Sequence, residues 1–182
     1  MGVRTDHDQA LVERIADGDR TALRPLYARH RHALVAYLRI FTSDHGQIDE
    51  LVQDTMLAAW TGADRFSGRS SVRSWLFGIA RRRAIDTLRR RHLPVADTEL
   101  ETLPDPAPSP EAWALAQASQ EELLATVERL SPVHQEILLL TFVYQLAYSE
   151  IAEMLDIPVG TVKSRLSNAR RALRAHLRTE LP

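Results

Sequence analysis

The segment Thr161-Val162-Lys163-Ser164-Arg165-Leu166-Ser167-Asn168-Ala169-Arg170-Arg171 brings cations, hydroxyls and a carboxamide close together. Groups of these kinds neutralise phosphates and hydrogen-bond to base edges. From Val159 to Arg178 there are six basic residues and no acid. A second concentration lies between Arg65 and His92, where nine arginines stand against one acid, Asp86. Trp75 sits within it, and an aromatic ring beside arginines can stack on an unpaired base while the cations hold the backbone. A third group, Glu50, Gln53, Asp54 and Leu57, would put an anionic face with an exposed leucine on one helix, which suits docking onto a basic protein partner. Taken alone, such a face is more often simply solvated.

Covalent chemistry has no comparable set. There is no cysteine, which excludes disulfides, zinc ribbons and thiol catalysis. No phosphate-binding glycine loop, nucleophile–base pair or metal-ligand spacing occurs. His30 and His32 stand two apart and so point to different sides of a helix. The expectation is a protein that binds rather than catalyses, with no cofactor and no metal.

The bulk composition agrees. The 182 residues suffice for one ordinary domain or two small ones. The net charge of −1 conceals segregation, because Leu93 to Glu128 carries eight acids and no base. Separated blocks of opposite sign create local fields that the sum hides. The first residues are polar, without the apolar core of a signal peptide. No uncharged apolar run approaches the roughly 20 residues of a membrane helix. The expected location is cytoplasmic, with no membrane insertion.

Positioning these groups falls to helices, since apolar residues recur mostly three and four apart with little strand-like alternation. Asp19 can cap a helix running towards Phe41, with a kink expected at Pro25 near its start. A second helix is expected from Ile48 to Trp60, with Ile48, Leu51, Val52, Thr55 and Ala59 as its core stripe. Ser67-Gly68-Arg69-Ser70-Ser71 is a loop signal. A long helix from about Val72 to Arg91 then has two apolar sides, Val72, Trp75, Leu76 and Ile79 on one and Phe77, Ala84, Ile85 and Leu88 on the other. It should be wedged between neighbours, with Arg73, Arg81, Arg82 and Arg89 emerging between the stripes. For Trp75, filling of the core is at least as good an explanation as base stacking. Five prolines and several acids between Pro94 and Pro110 predict an extended linker. Ala112 to Leu130 is expected to be helical, and Ser131-Pro132 to be the cap and first position of the next helix.

Tyr148 to Leu166 has helix-turn-helix spacing. Ala152 is small where two helices must cross, and Pro158 and Gly160 lie at the break and restart. Val162, Leu166, Ala169, Leu173 and Leu177 form one apolar stripe, leaving Thr161, Lys163, Ser164, Arg165, Ser167, Asn168 and Arg171 on the other faces. A recognition helix needs this division. The plainer alternative is a solvated basic helix on an ordinary bundle.

Over nearly its whole length the chain resembles the extracytoplasmic-function sigma factors of the sigma-70 family. Three stretches carry the likeness: Asp49-Glu50-Leu51-Val52-Gln53-Asp54-Thr55; Arg65 to Leu76 continuing to Ile85-Asp86-Thr87-Leu88-Arg89-Arg90; and Pro158 to Leu166. The resemblance implies an all-α protein of two small domains. These are a region 2 domain over 1–92, an acidic proline-rich flexible linker over 93–111, and a region 4 helix-turn-helix domain over 112–182. It implies that Glu50, Leu51, Gln53 and Asp54, with Leu57 beside them, bind the clamp helices of the polymerase β′ subunit, the β flap being a further contact of core RNA polymerase. Phe66, Ser67, Gly68, Arg69, Ser70 and Ser71 match the loop that captures a flipped base of the promoter −10 element. The helix bearing Arg73, Trp75, Arg81, Arg82 and Arg89 would follow the adjoining strand, and Thr161 to Arg171 would read the −35 element. The acidic linker corresponds to the segment that enters the polymerase cleft. An anti-sigma factor is the implied regulator.

The chain departs from the family pattern at three positions. Arg82 stands where asparagine is frequent, at a position that the resemblance implicates in −10 recognition. Gln145 and Ala147 replace the glycine and serine usual before the first helix of the helix-turn-helix. Two other functions compete. A decoy that sequesters an anti-sigma factor has no need of cations on both DNA-facing helices. A plain helix-turn-helix regulator leaves Glu50 to Asp54 and the basic N-terminal helix idle.

Overall fold

The computed structural model of the chain describes residues 3–91 and 125–179, and every regular element among them is helical. Two units separate, Met1–Val95 and Ala96–Pro182. The linker expected over 93–111, and the expected helix over 112–130 up to residue 124, lie outside the described residues.

The first unit begins with a helix that the sequence pattern did not reveal, α1 (Val3–Ala16). Its first turns are polar and dilute the periodicity, but Leu11, Val12 and Ile15 near its end are buried. Asp19 caps the next element as expected, though that element is a single 3-10 turn, Arg20–Ala22. Its Oδ1 accepts from the Thr21 amide at 2.8 Å and the Thr21 hydroxyl at 2.6 Å. Its Oδ2 accepts from Arg14 at 2.6 Å, closing the α1 end onto the turn. The Thr21 hydroxyl and the Arg14 guanidinium, together with the Thr21 amide, hold the Asp19 carboxyl at about 2. α2 (Leu23–Leu38) follows and stops three residues short of the expected Phe41. Pro25 falls in its first turn, where an amide has no intrahelical partner to lose.

α3 (His45–Gly62) starts before Ile48 because Asp44 is a stronger start signal than the apolar stripe. Its Oδ1 accepts from the Gly46 and Gln47 amides at 2.9 and 3.2 Å. The stripe Ile48, Leu51, Val52, Thr55 and Ala59 is buried as expected. Thr55 satisfies its hydroxyl inside that stripe by donating to the Leu51 carbonyl at 2.6 Å. A 3-10 turn, Ala63–Arg65, leads into the serine-glycine loop, and α4 (Val72–Arg90) follows.

α4 packs on α1, α2 and α3. That is why it needs apolar residues on more than one side: Val72, Leu76, Phe77, Ile79, Ala80 and Ala84 are all buried. The Phe77 ring stacks on Tyr37 of α2 at 4.8 Å, and Tyr37 meets Phe41 edge-on at 5.6 Å. Arg31 of α2 pairs with Asp49 of α3 at 3.2 Å.

In the second unit residues 125–128 are helical, and Ser131 and Pro132 open α5 (Pro132–Leu138) in the expected roles. The Gln135 side-chain amide donates to the carbonyls of Glu128 and Leu130, at 2.9 and 2.8 Å, tying the two helical pieces together. α5 passes into a five-residue π turn, Leu139–Val143. α6 (Tyr148–Leu155) and α7 (Val159–Thr179) complete the unit. α7 packs on α5 and α6 through Val162, Leu166, Ala169, Leu173 and Leu177, all buried.

His30 provides a test of how α1 is held. It is 3% exposed, and its Nε2 lies 2.9 Å from Asp8 of α1, whose other oxygen accepts from Arg29 at 2.7 Å. Burial lowers the His30 pKa from its ordinary 6.5; Asp8 opposes the shift, and Arg73 and Arg29 add to it. The unfolded chain therefore binds the proton more readily than the folded one, and stability falls as pH drops below about 6.5. We expect the urea midpoint of the wild type to fall between pH 7.5 and 5.5, and the fall to be smaller in His30→Gln. Equal falls in both would show that this histidine does not set the slope.

Candidate nucleic-acid interface

One end of the first unit is built from a loop and a capped helix. Ser71 is the N-cap of α4, its hydroxyl accepting from the Ser74 amide at 3.2 Å. This bond starts α4 so that Arg73 and Trp75 fall beside the loop in its first turn. Trp75 is half-buried and its ring lies 4.9 Å from that of Phe66, so core filling and exposure both apply to it. Ser67, Gly68 and Arg69 are exposed, Ser70 and Ser71 half-buried. Gly68 has φ +70°, a backbone conformation that side chains disfavour, and so the turn requires glycine there. Farther along α4, Arg82 and Arg89 are exposed and Arg73 and Arg81 half-buried. Arg83, Arg90 and Arg91, also exposed, extend the same basic surface.

On α3 the outward face is Glu50, Gln53, Asp54 and Leu57. Leu57 is 62% exposed, an apolar side chain standing in water beside two carboxylates. Leu51 differs from these four: at 3% exposure it lies within the core. Its position four residues before Thr55 and one before Val52 puts it on the buried stripe, so it supports the face from beneath.

The second unit presents its site through the helix-turn-helix. α6 ends in a Schellman arrangement, in which the Ile157 amide donates to the Ala152 carbonyl at 3.0 Å and the Asp156 amide to the Glu153 carbonyl at 3.4 Å. Asp156 takes the left-handed position with φ +56°. Ala152 is buried, as its size suggested. Pro158 accepts from the Thr161 and Val162 amides at 2.9 and 3.2 Å and so starts α7. Lys163 and Arg171 are exposed, while Thr161, Ser164, Arg165, Ser167 and Asn168 are half-buried. Arg171 donates to the Asn168 carboxamide at 2.7 Å, and Ser164 to the Thr161 carbonyl at 3.1 Å. The Nε of Arg165 is buried, so this arginine lies partly against its own domain. Burial and the nearby Arg171 lower the pKa of His134 on α5.

Sequence reasoning missed an apolar patch beside this helix. Phe142 and Val143 are 51% and 63% exposed in the π turn, and the Arg170 guanidinium lies 5.0 Å from the Phe142 ring centre. The helical period gave no warning, because a π turn departs from it. Among the described residues there is no cluster of three or more histidines and acids that could hold a metal. No helix among them is long and apolar enough to cross a membrane.

A basic helix and loop on one helical unit, and a helix-turn-helix on another, define a two-part all-α protein. Residues 26–93 match the family described as Sigma-70 region 2, and residues 120–173 the family described as Sigma-70, region 4. The RNA polymerase sigma factor NccH of Alcaligenes xylosoxydans xylosoxydans is 32% identical over 177 residues, covering 94% of this chain and 95% of its own. The ECF RNA polymerase sigma-E factor of Escherichia coli (strain K12) is 31% identical over 176 residues, covering 91% and 92%. CnrH, solved in complex with the cytosolic domain of CnrY, has a TM-score of 0.67 at 28% identity, covering 95% of this chain and 98% of its own. The chain belongs to the extracytoplasmic-function group of the sigma-70 family of transcription initiation factors.

The two departures before α6 have structural consequences. Gln145 takes φ +53°, a conformation natural to the glycine it replaces. Ala147 is the N-cap of α6 and has no side-chain oxygen; only the reciprocal bond survives, from the Ala147 amide to Glu150 Oε2 at 3.0 Å. Ala147→Ser should raise stability by about 0.5–2 kcal/mol, and Gln145→Gly by roughly 1 kcal/mol. Chemical denaturation of each variant checks this, and no gain in either would mean that α6 is already fully satisfied.

Proposed function

We propose that this chain carries core RNA polymerase to a particular set of promoters, reading the −10 element with its first unit and the −35 element with its second. The observation that carries the proposal is the pairing, in one chain, of two basic surfaces on separate helical units with an anionic, leucine-bearing face on α3. A plain helix-turn-helix regulator accounts for α7 and leaves the other two surfaces without a purpose. A decoy for an anti-sigma factor accounts for the family membership and leaves the cations without one.

In this reading the loop Phe66 to Ser71 captures a flipped −10 base, with Trp75 as its stacking wall. Arg73, Arg81, Arg82 and Arg89 follow the phosphates of the adjoining strand. Lys163 and Arg171 hold the −35 backbone, while Thr161, Ser164, Arg165, Ser167 and Asn168 approach the base edges. Glu50, Gln53, Asp54 and Leu57 grip the β′ clamp helices, and the β flap meets the second unit. Domains over 1–92 and 112–182 and a tether over 93–111 fit this division of labour. The protein works by binding, in the cytoplasm, under the control of an anti-sigma factor. Supporting the location, CnrH was solved in complex with the cytosolic domain of CnrY.

Reversing Asp54 to Arg should weaken capture by core polymerase at least tenfold while leaving the melting temperature unchanged, because the residue is exposed. Unaltered capture would remove α3 from the interface. Lys163→Ala should lower −35 duplex affinity for all sequences and flatten the salt slope by about 1. A slope equal to wild type would place Lys163 off the DNA. Run-off transcription with core enzyme on genomic fragments tests the whole proposal, which fails if no start site depends on the chain.

A further inference from the structure

α1 precedes the family-matched span and yet packs on the 3-10 turn Ala63–Arg65 that leads into the loop. One of its side chains reaches the loop itself. A Cβ built on Gly68 would stand 3.5 Å from Gln9 Nε2 and 3.9 Å from Gln9 Cδ, so the carboxamide lies against the face of the turn that lacks a side chain. Gln9 is aimed by its own helix, with Nε2 donating to Glu13 Oε1 at 3.1 Å. That bond uses one amide hydrogen and leaves the second hydrogen and Oε1 open to another partner.

Gln9 is exposed and adds nothing to the core. α1 is fixed without it, by buried Leu11, Val12 and Ile15 and by ion pairs on either side, Asp8 with Arg29 and Arg14 with Asp19. A carboxamide that is aimed at the turn by its own helix, wet and unnecessary for packing has the properties of a recognition group. A donor and an acceptor on one carboxamide match the paired edge of adenine.

We propose that Gln9 is a specificity-determining residue, which offers its carboxamide to the base seated in the loop Phe66 to Ser71 and favours adenine there. This rests on the −10 function proposed for that loop. Gly68 has a second duty in this arrangement, since the missing side chain lets the carboxamide approach the loop.

The test uses the full chain with core polymerase on a promoter library randomised across the −10 element, with transcripts sequenced. Wild type, Gln9→Met and Gln9→Ala are compared; methionine keeps the length of the side chain and removes its hydrogen bonds. The expected result is a preference for adenine at one −10 position that falls roughly five- to hundredfold in both variants, with start sites and −35 preference retained. Unchanged preference at every position overturns the proposal, and so does a uniform loss of transcription without a change in preference. If the wild type directs no specific start sites, the underlying −10 function fails instead, which is a different result.

Discussion

The first unit depends on a single conflict being settled in α4. One helix must carry a run of arginines and also fill the space between three others. Two exposed like charges about 6 Å apart repel by under about 1 kcal/mol in a water-like medium. Burying an apolar side chain contributes roughly 1.5–3 kcal/mol, and α4 buries Val72, Leu76, Phe77 and Ile79 beside its two buried alanines. Burial wins by a wide margin, and the cations are carried to the surface by a helix that cannot leave. Asp86 eases the repulsion further, four residues after Arg82 and four before Arg90.

The same division recurs in the second unit with a cleaner geometry. α7 keeps one apolar stripe and leaves the remaining faces to cations, hydroxyls and a carboxamide. Its docking against α5 and α6 fixes which of those faces looks outward. Segregation of charge along the sequence thus becomes segregation in space, and a chain of net charge −1 acquires two strongly positive surfaces.

Much of this was legible in the residues. α3, α4, α5 and the helix-turn-helix follow from periodicity, caps and turn chemistry, and Ser131 and Pro132 perform the capping expected of them, whereas Asp19 caps a 3-10 turn in place of the expected helix. What was not legible has physical causes. α1 is held by tertiary ion pairs and three apolar residues near its end, too few to stand out as a stripe. Leu51 belongs to a motif and to a core stripe at once, and only packing decides between them. The half-burial of Arg165 depends on how α7 docks, which no count of charges contains. Gln145 and Ala147 were visible as departures, but their cost became clear only with a left-handed backbone at the one and an empty cap at the other.

The π turn at Leu139–Val143 has one more consequence. It advances the helix out of phase, so that the chain beyond it faces directions that a regular spiral would not choose. Deleting a single residue there would restore the ordinary pitch and swing Phe142 and Val143 round the axis, while Ile137 and Leu138 upstream kept their seats. A protein that carries such a phase shift can re-aim a patch of its exterior by the smallest possible change in length, without disturbing its foundations.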